Sequence, residues 1–382
     1  MHVVMFCHSL LSDWNHGNAH FLRGICSELS VRGHDVTVYE PVDAWSAENL
    51  IAEAGAWRLN EVKSHYPLLR IERYDPLNID LDQATSDAHL VIVHEWNTPE
   101  LIAMLGQQRR RSSHFRLLFH DTHHRTSSDP AAIFAMDLAA YDGVLAFGEA
   151  VRERYVAAGW GQRAWTWHEA ADTRVFKPLL DVEPDTDLVF IGNWGDEERS
   201  RELSEFLFEP VKELGLSATA HGVRYPQAGL EALARAGIEF WGWLPNYRVP
   251  ESFARHRVTL HIPRRPYVQA LPGIPTIRIF EALAAGIPLI SAHFEDTEGL
   301  FRSDDFIKVT SGTAMCQALR RVIDDRDEAR EFTARGLETI LTRHTCAHRV
   351  SELLALCAQI GTRGLGLDGA LQGRRTEARA WD

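Results

Sequence analysis

The sequence predicts an α/β protein with two parallel-sheet domains, and three observations support this prediction. Short apolar runs alternate with helical patterns along most of the 382 residues, which indicates strands joined by right-handed helical crossovers. A polar connector flanked by Pro178 and Pro184 has no apolar period and divides the chain near its middle. The chain is also long enough for two or three domains of roughly 150 residues each.

Composition and charge are those of an ordinary globular protein, with 45% hydrophobic and 24% charged residues. The net charge of −13 argues against nonspecific binding to nucleic acid or to an anionic membrane. No apolar run approaches the roughly 20 residues that cross a bilayer, and no signal peptide is predicted. The five cysteines show no CxxC spacing, so we expect buried thiols in a reducing cytoplasm.

Strand and helix signals alternate through the N-terminal half. Strands are predicted at residues 3–7, 35–39, 90–94, 115–120 and 143–147. Helices are predicted at about 21–29, 99–105, 131–140 and 149–158. In parallel sheets, ligands bind at the carboxyl ends of the strands. Two polar clusters follow predicted strands and are therefore candidate site segments: His94-Glu-Trp-Asn97 and His120-Asp-Thr-His-His-Arg125.

The C-terminal half begins with a predicted strand at residues 187–191 and a helix from about 197 to 214. A loop, a helix and a strand are predicted between residues 273 and 291. Thr276 is a candidate N-cap of that helix, Gly286 ends it, and Pro288 prevents its continuation. The pattern after Ser291 is helical, and from residue 361 we expect a flexible tail.

The start of the helix after Pro275 has the features of a phosphate site. Unpaired N–H groups at Thr276 and Ile277 attract an anion, and Arg278 adds charge and a two-pronged donor. Glu281 lies three residues further along the same helical face, where it can accept a hydrogen bond from a sugar hydroxyl. A phosphate receptor beside a hydroxyl receptor suits a nucleotide sugar.

The segment Glu281-Ala-Leu-Ala-Ala-Gly-Ile-Pro-Leu-Ile-Ser291 resembles the donor-binding helix of GT-B glycosyltransferases, especially family 4 and the CgeB-like group. In family 4, two glutamates eight positions apart flank this segment. The second maps onto Glu281 and would hold the donor ribose, whereas the first falls on Gly273 and is missing. The CgeB-like group tolerates this absence and has an Arg-x-Phe-Glu-Ala type of helix, which Arg278 to Ala282 match.

The resemblance implies two Rossmann-like domains that face each other across a cleft, and it sets the expected boundaries. The linker of family 4 enzymes is matched at Asp172, Phe176 and Pro178, with Glu169-Ala170 in place of the usual Asn-Gly. We therefore expect an acceptor domain, a donor domain and a C-terminal helix that packs back toward the first domain before the flexible tail. These units are residues 1–172, 186–345 and 346–382.

The resemblance also implies further donor-site residues. His16-Gly17-Asn18 corresponds to the small-residue loop that faces acceptor and phosphate, although a plain βα turn would also explain one glycine.

Asn193 and Trp194 stand where family 4 has basic residues that bind the diphosphate, so Arg199 or Arg201 is a candidate substitute. Arg264 and Arg265 are expected near the diphosphate unless they form a solvated turn. Trp243, Leu244 and Pro245 are candidates to cover a base.

The cluster from His120 to Arg125 has several interpretations. His120, Asp121, His123 and His124 are all potential metal ligands, although no second ligand group with recognisable spacing appears. Asp121 could instead orient a histidine as a general base. The resemblance favours a clamp near the transferred sugar and the acceptor, with His120 and Asp121 matching a His-Asp-like pair. A polar loop without a role is the remaining alternative.

The resemblance thus implies a glycosyltransferase that moves a sugar from a nucleotide donor, such as a UDP- or GDP-sugar, to an acceptor hydroxyl. No cofactor, metal or nucleic-acid partner is expected, and the acceptor is a glycan or a small molecule. Family 4 members retain anomeric configuration, whereas His120 acting as a base would allow inversion. Two alternatives stay open: a non-catalytic protein that binds nucleotides or sugars, and a metal-dependent hydrolase built on residues 120–124.

Overall fold

The structure is a computed structural model that describes residues 1–364, with side chains described through residue 360. Over these residues two parallel sheets follow one another along the chain, which confirms the predicted α/β class. The first has seven strands in the order β3-β2-β1-β4-β5-β6-β7, and the second has six in the order β10-β9-β8-β11-β12-β13. The first sheet ends at Thr166 and the second begins at Thr186.

The strands are short and mostly buried. Those of the first sheet are β1 (His2–Phe6), β2 (Asp35–Pro41), β3 (Arg70–Tyr74), β4 (Leu90–His94), β5 (Arg116–Asp121), β6 (Gly143–Ala146) and β7 (Ala164–Thr166). Those of the second are β8 (Thr186–Ile191), β9 (Ala218–His221), β10 (Ile238–Phe240), β11 (His256–His261), β12 (Leu289–Ala292) and β13 (Ile307–Val309). Strand β4 is buried along its whole length, as expected for a strand with helices on both faces.

Helices connect the strands in both domains. In the first domain they are α1 (Ala19–Val31), α2 (Trp45–Ala54), α3 (Arg58–His65), α4 (Leu81–Thr85), α5 (Pro99–Arg111), α6 (Arg125–Ser128), α7 (Pro130–Phe134) and α8 (Glu149–Tyr155). In the second they are α9 (Ser200–Leu203), α10 (Glu209–Leu214), α11 (Gln227–Arg235), α12 (Val249–Ala254), α13 (Arg265–Ala270), α14 (Ile277–Ala285), α15 (Gly312–Asp324), α16 (Arg326–Arg343) and α17 (Cys346–Gly364). None of the described helices has the length and hydropathy needed to cross a membrane.

Two predicted helices differ from the structure. The helix predicted at 131–140 is wrong beyond Phe134, where α7 ends. Asp137 accepts a hydrogen bond from the N–H of Ala139 at 3.2 Å, and such side-chain contacts compete with helical hydrogen bonding. The helix predicted from 197 begins at Ser200, and a π-helical turn at Ser204–Phe208 joins α9 to α10.

One hydrophobic core passes from the first domain into the second. It contains Phe21 and Trp167 from the first domain together with Phe176 of the connecting segment and Phe280 of α14. Helix α17 packs against α1, and the indole N–H of Trp167 donates to the carbonyl of Arg349 at 2.9 Å. The flexible tail predicted beyond this helix lies outside the described residues.

Candidate functional site

A cavity of about 520 Å³ lies between the two sheets, at the carboxyl ends of strands from both domains. The first domain contributes residues after β1 and β5, and the second contributes residues after β8 and β11 and the start of α14. Of the predicted site residues, those that line this cavity are Gly17, Asn18, His123, His124, Asn193, Arg264, Thr276, Ile277 and Arg278.

The start of α14 opens into this cavity. Thr276 occupies the predicted N-cap position but makes no capping hydrogen bond with its side chain. Its hydroxyl lies instead 2.9 Å from Nε2 of His261, whose Nδ1 lies 2.8 Å from the hydroxyl of Ser291. Burial lowers the pKa of His261 to about 3, with Arg199 and Arg278 adding to the effect, so this imidazole is neutral. The first-turn N–H groups of α14 therefore have no side-chain cap and are available to an anion.

Three arginines line the same region of the cavity. The guanidinium of Arg199 donates to the carbonyls of Asn193 and Ile262, and its Nε is buried without a hydrogen-bond partner. Burial, together with the charges of Arg264 and Arg278, lowers the pKa of Arg199 to about 10. Three cations that repel one another across a cavity favour binding of an anion with more than one charge.

The two consecutive arginines after β11 have different surroundings. Arg264 lines the cavity and pairs with Glu198 at 3.3 Å. Arg265 pairs with Glu202 at 2.8 Å and is not among the cavity residues. Both residues were predicted to lie near the diphosphate. In the structure, Arg264 and Arg199 line the cavity, whereas Arg265 does not.

Glu281 lies behind the cavity wall and is fully buried. Its Oε1 accepts hydrogen bonds from Nδ2 of Asn246 at 2.6 Å and from Nδ1 of His20 at 2.8 Å, and its Oε2 pairs with Arg278. Burial opposes ionisation, but the Arg278 charge and the His20 and Asn246 hydrogen bonds outweigh it and lower the pKa of Glu281. Glu281 thus joins α14 to α1 of the first domain.

The histidine that binds Glu281 also reaches the connecting segment. Nε2 of His20 accepts a hydrogen bond from the N–H of Asp172 at 2.8 Å, so Nδ1 carries the proton that is donated to Glu281. The imidazole stacks on Phe176, with ring centroids 4.1 Å apart. One buried relay therefore links α14, α1 and the connector between the domains.

A second contact between the domains is made by Asp13, which the sequence analysis missed. Its carboxylate pairs with Arg23 at 2.8 Å and accepts hydrogen bonds from Nε1 of Trp243 at 3.0 Å and from the N–H of Asn246 at 3.2 Å. Trp243 was a candidate to cover a base, and in this structure its indole N–H is bound to the first domain. No local signal could have identified Asp13, because Trp243 lies 230 residues away in the chain.

The loop before α1 also contacts the second domain. A Cβ atom added to Gly17 would lie 3.4 Å from Cγ2 of Ile277, so the loop passes directly over the start of α14. Nδ2 of Asn193 donates to the side-chain oxygen of Asn15, and Oδ1 of Asn193 accepts from the N–H of Val223 at 3.0 Å. Asn18 donates to the Thr122 hydroxyl. The small-residue loop is therefore part of the cavity wall.

The cluster from His120 to Arg125 contains both cavity-lining residues and residues buried behind the cavity wall. His123 and His124 line the cavity, whereas His120 and Asp121 are fully buried behind it. His120 packs against Trp167 at 4.9 Å between ring centroids, and neither of its ring nitrogens has a hydrogen-bond partner. Burial lowers the pKa of His120 to about 3.

The buried aspartate of this cluster holds its neighbours in place. Asp121 accepts hydrogen bonds from the hydroxyl of Tyr155 at 2.8 Å and from the N–H of His123 at 3.2 Å. Burial raises its pKa.

Within the described residues, no group of three histidine, cysteine, aspartate or glutamate side chains is arranged to hold a metal ion. His120 is buried against Trp167, whereas His123 and His124 line the cavity, so the four predicted ligands do not form one metal site.

Aromatic side chains line the first-domain side of the cavity; Trp96 belongs to a predicted site segment, whereas His8 and Trp45 were not predicted. His8 stacks on Trp45 with ring centroids 5.1 Å apart, and Trp96 lies beneath the guanidinium of Arg125 at 4.1 Å. Burial lowers the pKa of His16 well below its usual value, so this neighbouring imidazole is neutral. Flat aromatic faces with polar edges suit a ligand that has both apolar faces and hydroxyl groups.

Residues 199–355 match the family model described as Glycosyl transferase-like. The matched region begins at Arg199 and contains Arg264, Arg278 and Glu281, so it covers the cationic side of the cavity. No curated protein matches the chain.

Solved structures resemble this chain along nearly its whole length. A sucrose-phosphate synthase from Thermosynechococcus elongatus has 15% identity and a TM-score of 0.65, covering 95% of this chain and 100% of its own. HepE from Anabaena, in complex with UDP and glucose, has 12% identity and a TM-score of 0.68, covering 94% and 100%. An alpha-glucosyltransferase in complex with UDP and a 13-mer DNA has 11% identity and a TM-score of 0.67, covering 94% and 99%. These likenesses show that the fold is GT-B, as predicted.

Proposed function

We propose that this protein transfers a sugar from a nucleotide-sugar donor to an acceptor hydroxyl. The observation that carries the proposal is the convergence of Arg199, Arg264, Arg278 and the start of α14 on one cavity between the two sheets. The solved structure of HepE contains UDP and glucose in the same fold, which supports a nucleotide sugar as the donor class.

The mechanism that we propose follows from the charges that develop during transfer. As the glycosidic bond breaks, negative charge grows on the nucleoside diphosphate and positive charge grows on the sugar ring. Arg199, Arg264 and Arg278, with the N–H groups at the start of α14, would stabilise the departing diphosphate. In this proposal the arginines take the role that a metal ion has elsewhere, so a chelator should leave transfer unchanged.

Retention of anomeric configuration is part of the proposal. A general base works best with a pKa near the working pH. Burial lowers the pKa of His123 to about 2, and that of His124 is lowered as well, again mainly by burial. Such weakly basic imidazoles favour contact with the sugar or the acceptor over proton abstraction from it. Proton NMR of the first product formed would give its anomeric configuration.

The acceptor class that we propose is a glycan or a hydroxylated small molecule. It would bind on the first-domain side of the cavity, against Trp45 and Trp96. The net charge of −13 supports this class over a nucleic-acid acceptor. The Arg-Ile-Phe-Glu-Ala sequence at the start of α14 further supports a place in the CgeB-like group.

The proposal is tested by thermal unfolding against a panel of nucleoside diphosphates and nucleotide sugars, with and without a chelator. A ligand at 100 times its Kd stabilises the native state by about 2.7 kcal/mol, so binding raises the unfolding temperature. We expect a rise with one nucleoside diphosphate and its sugars, unaffected by the chelator. Absence of any rise would contradict the proposal. If the protein binds the donor but shows neither sugar transfer nor slow donor hydrolysis, the non-catalytic alternative is favoured. That alternative is motivated by Gly273, which stands where family 4 enzymes have their first glutamate.

Replacing His120 with phenylalanine should separate its contribution to stability from its contribution to transfer. The unfolding free energy should rise by about 1 kcal/mol, because a buried ring with two unpaired nitrogens is replaced by one that needs no partner. Donor affinity should be kept and transfer should fall, because His120 supports His94, which lies 3.0 Å from the hydroxyl of the cavity residue Thr122. Denaturant unfolding and steady-state kinetics measure the two effects. Full activity in this variant would remove His120 from the site.

A further inference from the structure

Glu169 is a buried carboxyl group that lines the cavity and has no evident structural partner. It follows β7, which is an edge strand of the first sheet. Its side chain is about 3% exposed, and its Oε1 makes no hydrogen bond. The residue lies in the cavity wall together with His124, Tyr267 and Arg264.

An unpaired carboxyl group in this position lowers the stability of the free protein. Transfer of a polar group from water into a protein interior without a hydrogen bond is unfavourable. Burial, followed by the negative charge of Glu281, raises the pKa of Glu169 well above its usual value, which favours the neutral acid over the carboxylate. Unsatisfied buried polar groups of this kind are characteristic of binding sites, where a ligand supplies the missing partner.

The position of Glu169 identifies which part of a ligand it would meet. Tyr267 on α13 lines the cavity together with Arg264 and Glu169, and its ring centroid lies 5.2 Å from that of His124. Glu169 therefore shares the cavity with the arginines proposed to bind the diphosphate, but it belongs to the first-domain side of the wall. A sugar that is transferred from the diphosphate to an acceptor in the first domain would lie between these two parts of the cavity wall.

We propose that Glu169 is a donor-binding residue whose carboxyl group exchanges hydrogen bonds with a hydroxyl pair of the transferred sugar. This inference rests on the proposed function. A neutral carboxyl group offers one O–H donor and an acceptor oxygen, which is the complement of a sugar hydroxyl. A phosphate is the less suitable partner, because a carboxylate formed beside it would repel it.

The test compares a nucleoside diphosphate with its sugar ester in the Glu169→Leu variant. Calorimetric titration with UDP should give an unchanged affinity, whereas the affinity for UDP-glucose should fall about tenfold, because the sugar hydroxyls lose their partner. GDP and GDP-mannose form a second pair of probes. The Glu169→Gln variant should keep part of the affinity for the sugar ester, because its amide still donates and accepts. Glu183→Leu, in the exposed connector, is the matched control and should leave both affinities unchanged.

The outcomes distinguish this inference from the proposed function. Wild-type protein that binds none of the four probes would contradict the proposed function itself. Suppose that the wild type binds the probes. If Glu169→Leu then binds them with wild-type affinities, or loses affinity equally for UDP and UDP-glucose, the proposed role of Glu169 is overturned and the proposed function is not. The free Glu169→Leu protein should unfold at the wild-type temperature or above it, because an unpaired buried carboxyl group has been removed. A fall in that temperature would assign Glu169 a structural role.

Discussion

Replacing Arg199 with methionine is expected to lower kcat/KM for sugar transfer by about 10²–10³-fold, the usual effect of removing one preorganised donor to a developing oxyanion. The guanidinium of Arg199 is held by the carbonyls of Asn193 and Ile262, so its orientation is set before any ligand binds. It has no paired carboxylate within the described residues, unlike Arg264 and Arg278. Steady-state kinetics with the donor at varied concentration would measure the effect.

The matched control for Arg199→Met is Arg201→Met. Arg201 lies two residues further on, is exposed and does not line the cavity, so its loss should leave kcat/KM unchanged. Arg199→Lys should recover part of the activity, because a lysine keeps the charge but lacks the planar two-pronged donor. Equal activity in Arg199→Met and wild type would refute the assignment of the diphosphate to this cation cluster.

The predicted fold was confirmed where strands are buried and apolar, and was incomplete where they are not. Strand β4 is buried at every residue and was predicted from its apolar run alone. Strand β3, with the sequence Arg-Ile-Glu-Arg-Tyr, was missed because it lies at the sheet edge and exposes its charged side chains. Edge strands of this kind give no hydrophobic signal, and only pairing with a neighbour identifies them.

The candidate site was predictable only where its residues are neighbours in sequence. Thr276, Ile277 and Arg278 share the start of one helix, so a local pattern indicated an anion site before the structure placed them at the cavity wall. Glu169 gave no such signal, because its lack of partners is a property of the folded interior. The partners of Glu281 were equally inaccessible, since His20 lies 261 residues away.

The Glu281→Ala variant is expected to lose about 3–5 kcal/mol of unfolding free energy, the usual effect of removing one partner from a buried ion pair. The loss leaves the Nδ1–H of His20 and the Nδ2 group of Asn246 without their acceptor and leaves Arg278 unpaired. Donor binding should weaken as well, because α14, which carries the cavity residue Arg278, loses its attachment to α1. The structure does not support the predicted contact of Glu281 with the donor ribose, since this residue is fully buried behind the cavity wall. Denaturant unfolding and calorimetric titration would measure the two effects.

The pH dependence of stability gives an independent signature of Glu281. Its folded pKa is lowered from the usual 4.5, so its contribution is fully present above pH 4.5. As the pH falls, the unfolded state binds the proton first, and the contribution is lost while the pH approaches the lowered folded pKa. The difference in unfolding free energy between wild type and Glu281→Gln should therefore be constant from pH 7 to about 5 and shrink below that.

A double-mutant cycle tests whether Glu281 acts through the relay that joins the domains. His20→Phe keeps a ring to stack on Phe176 but removes the donor to Glu281, so His20→Phe and Glu281→Gln should be strongly non-additive. The exposed pair of Glu331 and Arg335 on α16 is the matched control, and Glu331→Gln should change stability little. Additive effects of the two substitutions at the relay would contradict an interdomain role for Glu281.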